Sequence, residues 1–168
     1  MSFELEIFPT VKNKLTIKDV LDILNSIRES DRLGNLLKIN IEQVNESFDI
    51  NGDKEIMVDE DYKITLHDNL ILFFSVIEND DIFDEFDILK GYNEHRISDN
   101  SLYETSLHWK DVGFSFNLEL KSKKSEADFK LFMRFSIRLS EKFSGLICIK
   151  ERMKSLDPGL YEPSFLIF

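Results

Sequence analysis

The clearest local pattern in the chain occupies residues 112–149, with the sequence VGFSFNLELKSKKSEADFKLFMRFSIRLSEKFSGLICI. Over its first nine residues, from Val112, apolar side chains alternate with small or polar ones, which predicts a strand with one buried and one wet face. Ser125 is followed three residues later by Asp128, a spacing typical of the capping box at the start of a helix. We therefore expect a helix to begin near Glu126.

This helix, expected over residues 126–143, has an apolar side and a basic side. Gly145 lies where a left-handed residue would end the helix, and the apolar run 146–149 predicts a buried strand beside the first one. The result is a strand-helix-strand unit, and a parallel pairing of its two strands would need a right-handed crossover. The apolar side carries Leu131, Phe132, Phe135, Leu139 and Phe143, and the opposite side carries Lys130, Arg134 and Arg138 at four-residue intervals.

The start of the chain predicts the same order of elements. Apolar residues alternate with polar ones over the first seven positions, so a strand is expected to end at Pro9. Thr16 and Asp19 form a second capping box, and an amphipathic helix is expected over residues 17–29. Renewed alternation predicts another strand at about 36–44, so strand, helix and strand follow one another twice.

The dipeptide Asn51-Gly52 allows two interpretations. Apolar residues alternate on both sides of it, and both positions tolerate positive φ, which favours a hairpin with a type I′ turn. The stretch DINGDKEIMVDE (49–60) also matches much of the spacing of a calcium-binding EF-hand loop. Lys54, however, stands where that loop needs glycine, and the flanks are predicted strands, so we expect a hairpin and no calcium site. The arms of the hairpin would include Phe48, Ile50, Ile56 and Val58, and the calcium ligands would have been Asp49, Asn51, Asp53, Glu55 and Glu60.

Two further strands are predicted at residues 62–66 and in the apolar run 70–77. Together the elements predict an α+β fold, ferredoxin-like or a related two-half arrangement. In it, two main helices pack on one face of a mostly antiparallel sheet. A single domain over 1–168 is expected, with possible halves 1–78 and 102–168 joined by an acidic connector.

Composition bounds the class of protein. The chain has 168 residues, 42% of them hydrophobic, and no run of 18 apolar residues. A soluble, cytoplasmic protein without a signal peptide is therefore expected. The single cysteine, Cys148, excludes a disulfide within the chain, and its apolar neighbours predict that it is buried.

The sequence offers little evidence of catalysis. Its histidines, His67, His95 and His108, are scattered, and none has the four-residue spacing of a helical metal pair. His108 and Trp109 are expected to open a strand and to pack at the edge of a sheet. The chain has only six glycines and no Walker, GxSxG or GxGxxG motif, so phosphate binding is not expected. We predict a protein that is not an enzyme and that needs no cofactor or metal.

Charge is distributed unevenly along the chain. Residues 42–104 carry 18 acidic and 4 basic side chains, a net of −14, whereas residues 121–154 carry 10 basic and 4 acidic ones, a net of +6. The total of −11 disfavours nucleic acid and anionic membranes, and it favours either simple solubility or a protein partner with a basic surface. The acidic stretch from Glu78 to Asp87 is the predicted partner-binding segment, with a solvated loop as the alternative. Its candidate binding residues are Asp80, Asp81, Asp84, Glu85 and Asp87.

The segment LSEKFSGLICIKERMKSLDPGLY, residues 139–161, carries a resemblance to a known group of proteins. Together with the two strand-helix-strand halves, the acidity and the many phenylalanines, it resembles the small acidic α+β immunity proteins of bacterial polymorphic toxin systems, several of which have ferredoxin-like sheets. This resemblance implies binding and neutralisation of a cognate toxin without a cofactor, and it assigns no functional residue by position. Two other functions stay open: a structural or regulatory domain without catalysis, and a small-ligand-binding protein or enzyme.

Overall fold

A computed structural model describes residues 2–30, 39–44, 52–67, 70–78, 105, 108, 109, 111–121 and 125–168. Its strands are β1 (Phe3–Phe8), β2 (Asn40–Gln43), β3 (Asp61–His67), β4 (Leu70–Glu78), β5 (Phe114–Lys121), β6 (Leu146–Ile149) and β7 (Gly159–Tyr161). Its helices are α1 (Ile17–Ser30) and α2 (Glu126–Lys142), and a short 3₁₀ helix spans Pro163–Phe165.

The strands that the structure delimits form one seven-stranded sheet in the order β2-β3-β4-β5-β1-β6-β7. Every neighbouring pair is antiparallel. Residues of both helices join one hydrophobic cluster with a single face of this sheet, so the predicted α+β architecture is confirmed. The sheet is larger than that of a typical ferredoxin-like domain, and the closer assignment is not confirmed.

The predicted position of β6 beside β5 is wrong, because β1 lies between them. Glu6 of β1 is opposite Asn117 of β5 on one side and Cys148 of β6 on the other. From Leu5 to Phe8, each residue of β1 has a relative exposure of 3% or less, as expected for a strand that is covered on both faces. The alternation of Glu4 and Glu6 with apolar residues had predicted a wet face instead. Lys150, the residue directly after β6, forms an ion pair with Glu6, which offsets the cost of burying this carboxylate.

The start of α1 is stabilised both by its own side chains and by a distant segment. The predicted capping box is confirmed: Asp19 accepts the amide proton of Thr16 at 2.8 Å, and the Thr16 hydroxyl accepts that of Asp19 at 3.2 Å. Two more amides of the first turn, at Ile17 and Lys18, donate to the carbonyls of Lys54 and Gly52 at 3.0 and 2.9 Å. The segment that follows Asn51 therefore caps α1 from outside the helix.

This docking also corrects the second arm of the predicted hairpin. Ile56 donates its amide proton to the carbonyl of Leu15, and an isolated bridge joins Glu55 to Thr16, but neither Ile56 nor Val58 belongs to a strand. The carbonyls of Gly52 and Lys54 accept hydrogen bonds from the first turn of α1, so they are not available to the opposite arm of a hairpin. The first arm and Asn51 itself lie outside the described residues.

Helix α2 begins as predicted, but the left-handed residue after its end is not the predicted one. Ser125 and Asp128 form the reciprocal capping box. At the other end, Gly145 donates to the carbonyl of Ser140 and Ser144 donates to that of Glu141, the two bonds of a Schellman motif. The left-handed residue is Ser144, with φ of 47°, and not Gly145. Glycine is required at 145 for space, because a Cβ atom there would lie 2.6 Å from the carbonyl oxygen of Phe8.

The core lies between the sheet and the two helices. Phe132, Phe135 and Leu139 of α2 are each exposed by 1% or less, which confirms the predicted apolar face. The opposite face of the sheet is also partly covered, since Phe8, Trp109, Cys148 and Leu160 form a second cluster there. Consequently Ser115, predicted on the wet face of β5, is fully buried.

The segment before β5 is helical and does not open a strand as predicted. Residues 108, 109, 111 and 112 have helical conformation, and Gly113, with φ of 83°, reverses the chain before β5 begins at Phe114. Trp109 is 1% exposed and packs edge-on against Phe8, with ring centroids 4.5 Å apart. The need to bury this large ring on the second face of the sheet outweighs the strand preference of its sequence.

Candidate interaction surface

The predicted partner-binding segment begins at a described residue, Glu78, and continues beyond the described part of the chain. Asp80, Asp81, Asp84, Glu85 and Asp87 lie outside the described residues. The first residue of the acidic stretch, Glu78, is the last residue of β4, and it is exposed opposite Phe114 of β5. Glu78 therefore lies at the end of the sheet where β4 finishes and β5 begins.

Other exposed carboxylates lie at the same end of the sheet. Asp61 opens β3 opposite Ser75 of β4, and Asp59 donates its amide proton to the carbonyl of Val76 at 2.8 Å. Asp111 precedes β5 by three residues. Antiparallel pairing brings the start of β3, the end of β4 and the start of β5 to one end of the sheet, and these four residues lie at or just before those strand ends. We call the exposed residues Asp59, Asp61, Glu78 and Asp111 the acidic corner.

None of the four carboxylates of the acidic corner forms an ion pair with a residue that the structure describes, a property they share with the exposed Glu4, Glu141 and Glu151. Other carboxylates of the described residues are paired with cations at short range, for example Asp22 with Lys18 and Glu126 with Lys154, each at 2.6 Å. Further pairs are Lys14–Glu55, Lys54–Glu60, Lys63–Glu42, Lys121–Glu119, Lys142–Asp19, Lys150–Glu6 and Arg152–Asp157.

An exposed apolar side chain accompanies these charges. Met57 is 51% exposed, and its carbonyl accepts the amide proton of Glu60 in the turn that leads into β3. Asp59 within this turn has φ of 66°, a left-handed conformation that aspartate tolerates better than most residues. The turn thus presents Met57 beside two carboxylates of the acidic corner, those of Asp59 and Asp61.

A partly buried triad anchors the turn from beneath. The Lys54 ammonium donates to Glu60 Oε2 at 2.5 Å and to the Tyr62 hydroxyl at 2.7 Å, and that hydroxyl donates to the same Glu60 oxygen. Burial alone would raise the pKa of Glu60, but the bonds from Lys54 and Tyr62 hold it below its ordinary value. Burial alone would likewise lower the pKa of Lys54, whose bonds to the same two partners raise it. Burial, followed by the bond to Glu60, raises the pKa of Tyr62 to about 12.

The triad also bears on the calcium interpretation. Glu60 would be the last ligand of an EF-hand loop, but its carboxylate is bound by the ammonium of Lys54. Asp49 and Asn51 lie outside the described residues. Within the described part of the chain, no group of three or more aspartate, glutamate, histidine or cysteine side chains is arranged to hold a metal ion. That calcium does not bind stays a prediction, and its physical reason is the positive charge of Lys54 on the Glu60 carboxylate.

The basic side of α2 is partly engaged within the molecule. Arg134 donates through Nε to the carbonyl of Phe168 at 2.7 Å, and Arg138 donates to the Ser26 hydroxyl on α1 at 2.9 Å. Lys130 is exposed. Arg134 thus holds the end of the described chain against α2, and Arg138 holds α1 against it. Both arginines therefore have a structural role.

Among the described residues, those with catalytic potential are not gathered into one site. Cys148 is fully buried between apolar neighbours, as its sequence predicts. His108 is exposed, and His95 and the side chain of His67 lie outside the described part. A cleft of about 300 Å³ lies between the start of β1 and the segment after β6, and its lining includes Glu4, Lys150 and Arg152.

Comparison of the chain with protein-family models, with curated proteins and with solved structures finds no match. Among the residues that the structure describes, no helix is both long and apolar enough to cross a membrane. Functional inference therefore rests on the surface itself. Sequence reasoning had singled out the stretch after Glu78 and had missed Asp59, Asp61 and Asp111. The run Asp59-Glu60-Asp61 was a visible signal, but only the sheet topology brings it next to Glu78.

Proposed function

We propose that this protein is a non-catalytic binding module that docks a protein partner with a basic surface. In this proposal the acidic corner and the stretch from Glu78 to Asp87 form one continuous interface. In line with the resemblance of residues 139–161, the partner is a cognate bacterial toxin and the module is its immunity protein. A ferredoxin-like relationship within the larger sheet belongs to the same proposal, and no cofactor is required.

The observation that carries the proposal is that four exposed carboxylates at one end of the sheet form no ion pair with a described residue, and that the exposed Met57 belongs to the turn that carries Asp59. Carboxylates that face solvent without counter-ions give a local negative potential, which speeds the encounter with a cationic surface and suppresses wrong partners. Met57, half exposed among them, offers the apolar contact that charge alone does not supply. Interfaces commonly combine a central apolar anchor with a polar rim, and the turn over residues 57–61 has this composition.

The sequence after Glu78 extends the argument. It crowds Asp80, Asp81, Asp84, Glu85 and Asp87 into eight residues, and the corner from which it departs is itself acidic. Like charges at this density repel one another, which disfavours the folded state. A basic partner would relieve this repulsion, so binding would recover free energy that the isolated protein lacks.

The test is to identify the protein that co-purifies with this one from its native host and to measure their association, using stopped-flow fluorescence at low and at physiological ionic strength. A triple variant, Asp59→Asn, Asp61→Asn and Glu78→Gln, removes three charges of the acidic corner. Asparagine keeps the left-handed conformation of residue 59 accessible. We expect association to slow by roughly 10-fold at low salt and its salt dependence to flatten, because electrostatic steering raises association rates by about 10- to 1,000-fold.

A matched control separates local from global charge. Glu4→Gln, Glu141→Gln and Glu151→Gln also remove three exposed carboxylates, but these lie outside the acidic corner. The control should change the rate by less than about twofold if the corner is the interface. Equal slowing by both triples would mean that only net charge matters. Absence of any complex with the wild-type protein would reject the immunity function.

A second variant tests the segment that the sequence singled out. Converting Asp80, Asp81 and Asp84 to asparagine should leave the protein folded and slow association in the same way as the corner variant. A normal rate at low salt would remove this segment from the interface. The basic stripe of Lys130, Arg134 and Arg138 would then be the next surface to test.

A further inference from the structure

We draw no further inference here: the strongest candidate, the cleft of about 300 Å³ between the start of β1 and the segment after β6, is lined by cations and carboxylates alike, and its Lys150 and Arg152 already pair with Glu6 and Asp157, so nothing in its lining selects a ligand.

Discussion

The helix-covered face of the sheet consists of closely packed apolar side chains, whereas the acidic corner consists of exposed carboxylates. On the covered face, rings contact one another at close range, with centroids 4.8 Å apart for Phe116 and Phe143 and 5.4 Å apart for Phe74 and Phe116. At the acidic corner, exposed carboxylates lie at one end of the sheet and form no ion pair with a described residue. Each packing contact on the covered face stabilises the folded state, whereas repulsion between the carboxylates of the acidic corner destabilises it.

This difference separates the residues that make the fold from those that could make a function. Burial of apolar area is the dominant favourable contribution to folding, whereas repulsion between surface charges of one sign opposes folding. Phe132 and Phe135 are therefore fully explained by the fold. Asp59 and Asp61 are not, and this is why the proposed interface is placed at the acidic corner. Changes in the two regions should consequently shift stability in opposite directions.

The largest expected effect comes from the covered face. Phe135 is 1% exposed within α2, and replacing it with alanine removes buried area and leaves a cavity. The free energy of unfolding should fall by about 3–5 kcal/mol, measured by urea denaturation at equilibrium. Phe165→Ala is the matched control, since this ring is 52% exposed, and it should cost less than about 0.5 kcal/mol. Similar losses for both variants would contradict the assignment of the core.

A smaller pair of effects is expected at the end of α2. Gly145→Ala places a Cβ atom against the backbone of Phe8, which cannot move aside without shifting β1, so a loss of about 1–3 kcal/mol is expected. Ser144→Gly acts oppositely, because it relieves the left-handed conformation of a non-glycine residue and should add about 0.5–1 kcal/mol. Thermal unfolding of the two variants checks both signs. A neutral Gly145→Ala would show that close approach does not explain this glycine.

The triad beneath the acidic corner predicts a response to alkaline pH. The folded pKa of Tyr62, about 12, lies above its ordinary value of 10.0, so the folded state favours the neutral hydroxyl. Its contribution to stability is therefore complete below pH 10 and is lost as the pH rises towards 12. Stability measured by urea denaturation should fall more steeply over this range in the wild type than in Tyr62→Phe. Equal slopes would indicate that the Tyr62 hydroxyl titrates as it does in the unfolded chain.

The sequence predicts the locally encoded parts of this fold well. Both helices and both capping boxes follow from short spacings, Thr16 with Asp19 and Ser125 with Asp128, since the interactions involved span one helical turn. Strand order is different, because β1 separates β5 from β6 through contacts between residues more than 100 positions apart. Alternation fixes which residues share a face of a strand, but it does not state which strand lies next to it.

The surface was less predictable than the core for a related reason. The acidity of the stretch after Glu78 is visible in the sequence, whereas the proximity of Asp61 and Asp111 depends on the pairing of β3, β4 and β5. The helical conformation around Trp109 was missed because its cause is the burial of one ring against Phe8. Both features arise from tertiary contacts, which local patterns do not contain.

The smallest effect is the one that compares the two regions most directly. Neutralising the acidic corner with Asp59→Asn, Asp61→Asn, Glu78→Gln and Asp111→Asn removes repulsion without breaking an ion pair among the described residues. Stability at low salt should therefore rise, by about 0.2–0.5 kcal/mol, and the gain should disappear at high salt, where the carboxylates are already screened. The control, Asp22→Asn with Glu126→Gln, removes carboxylates that Lys18 and Lys154 neutralise, and it should lower stability instead of raising it. Parallel urea titrations in low and high sodium chloride would measure both. If neutralising the corner destabilised the protein as the control does, the carboxylates of the corner would contribute to folding stability. This outcome would contradict the proposal that they form a partner-binding surface.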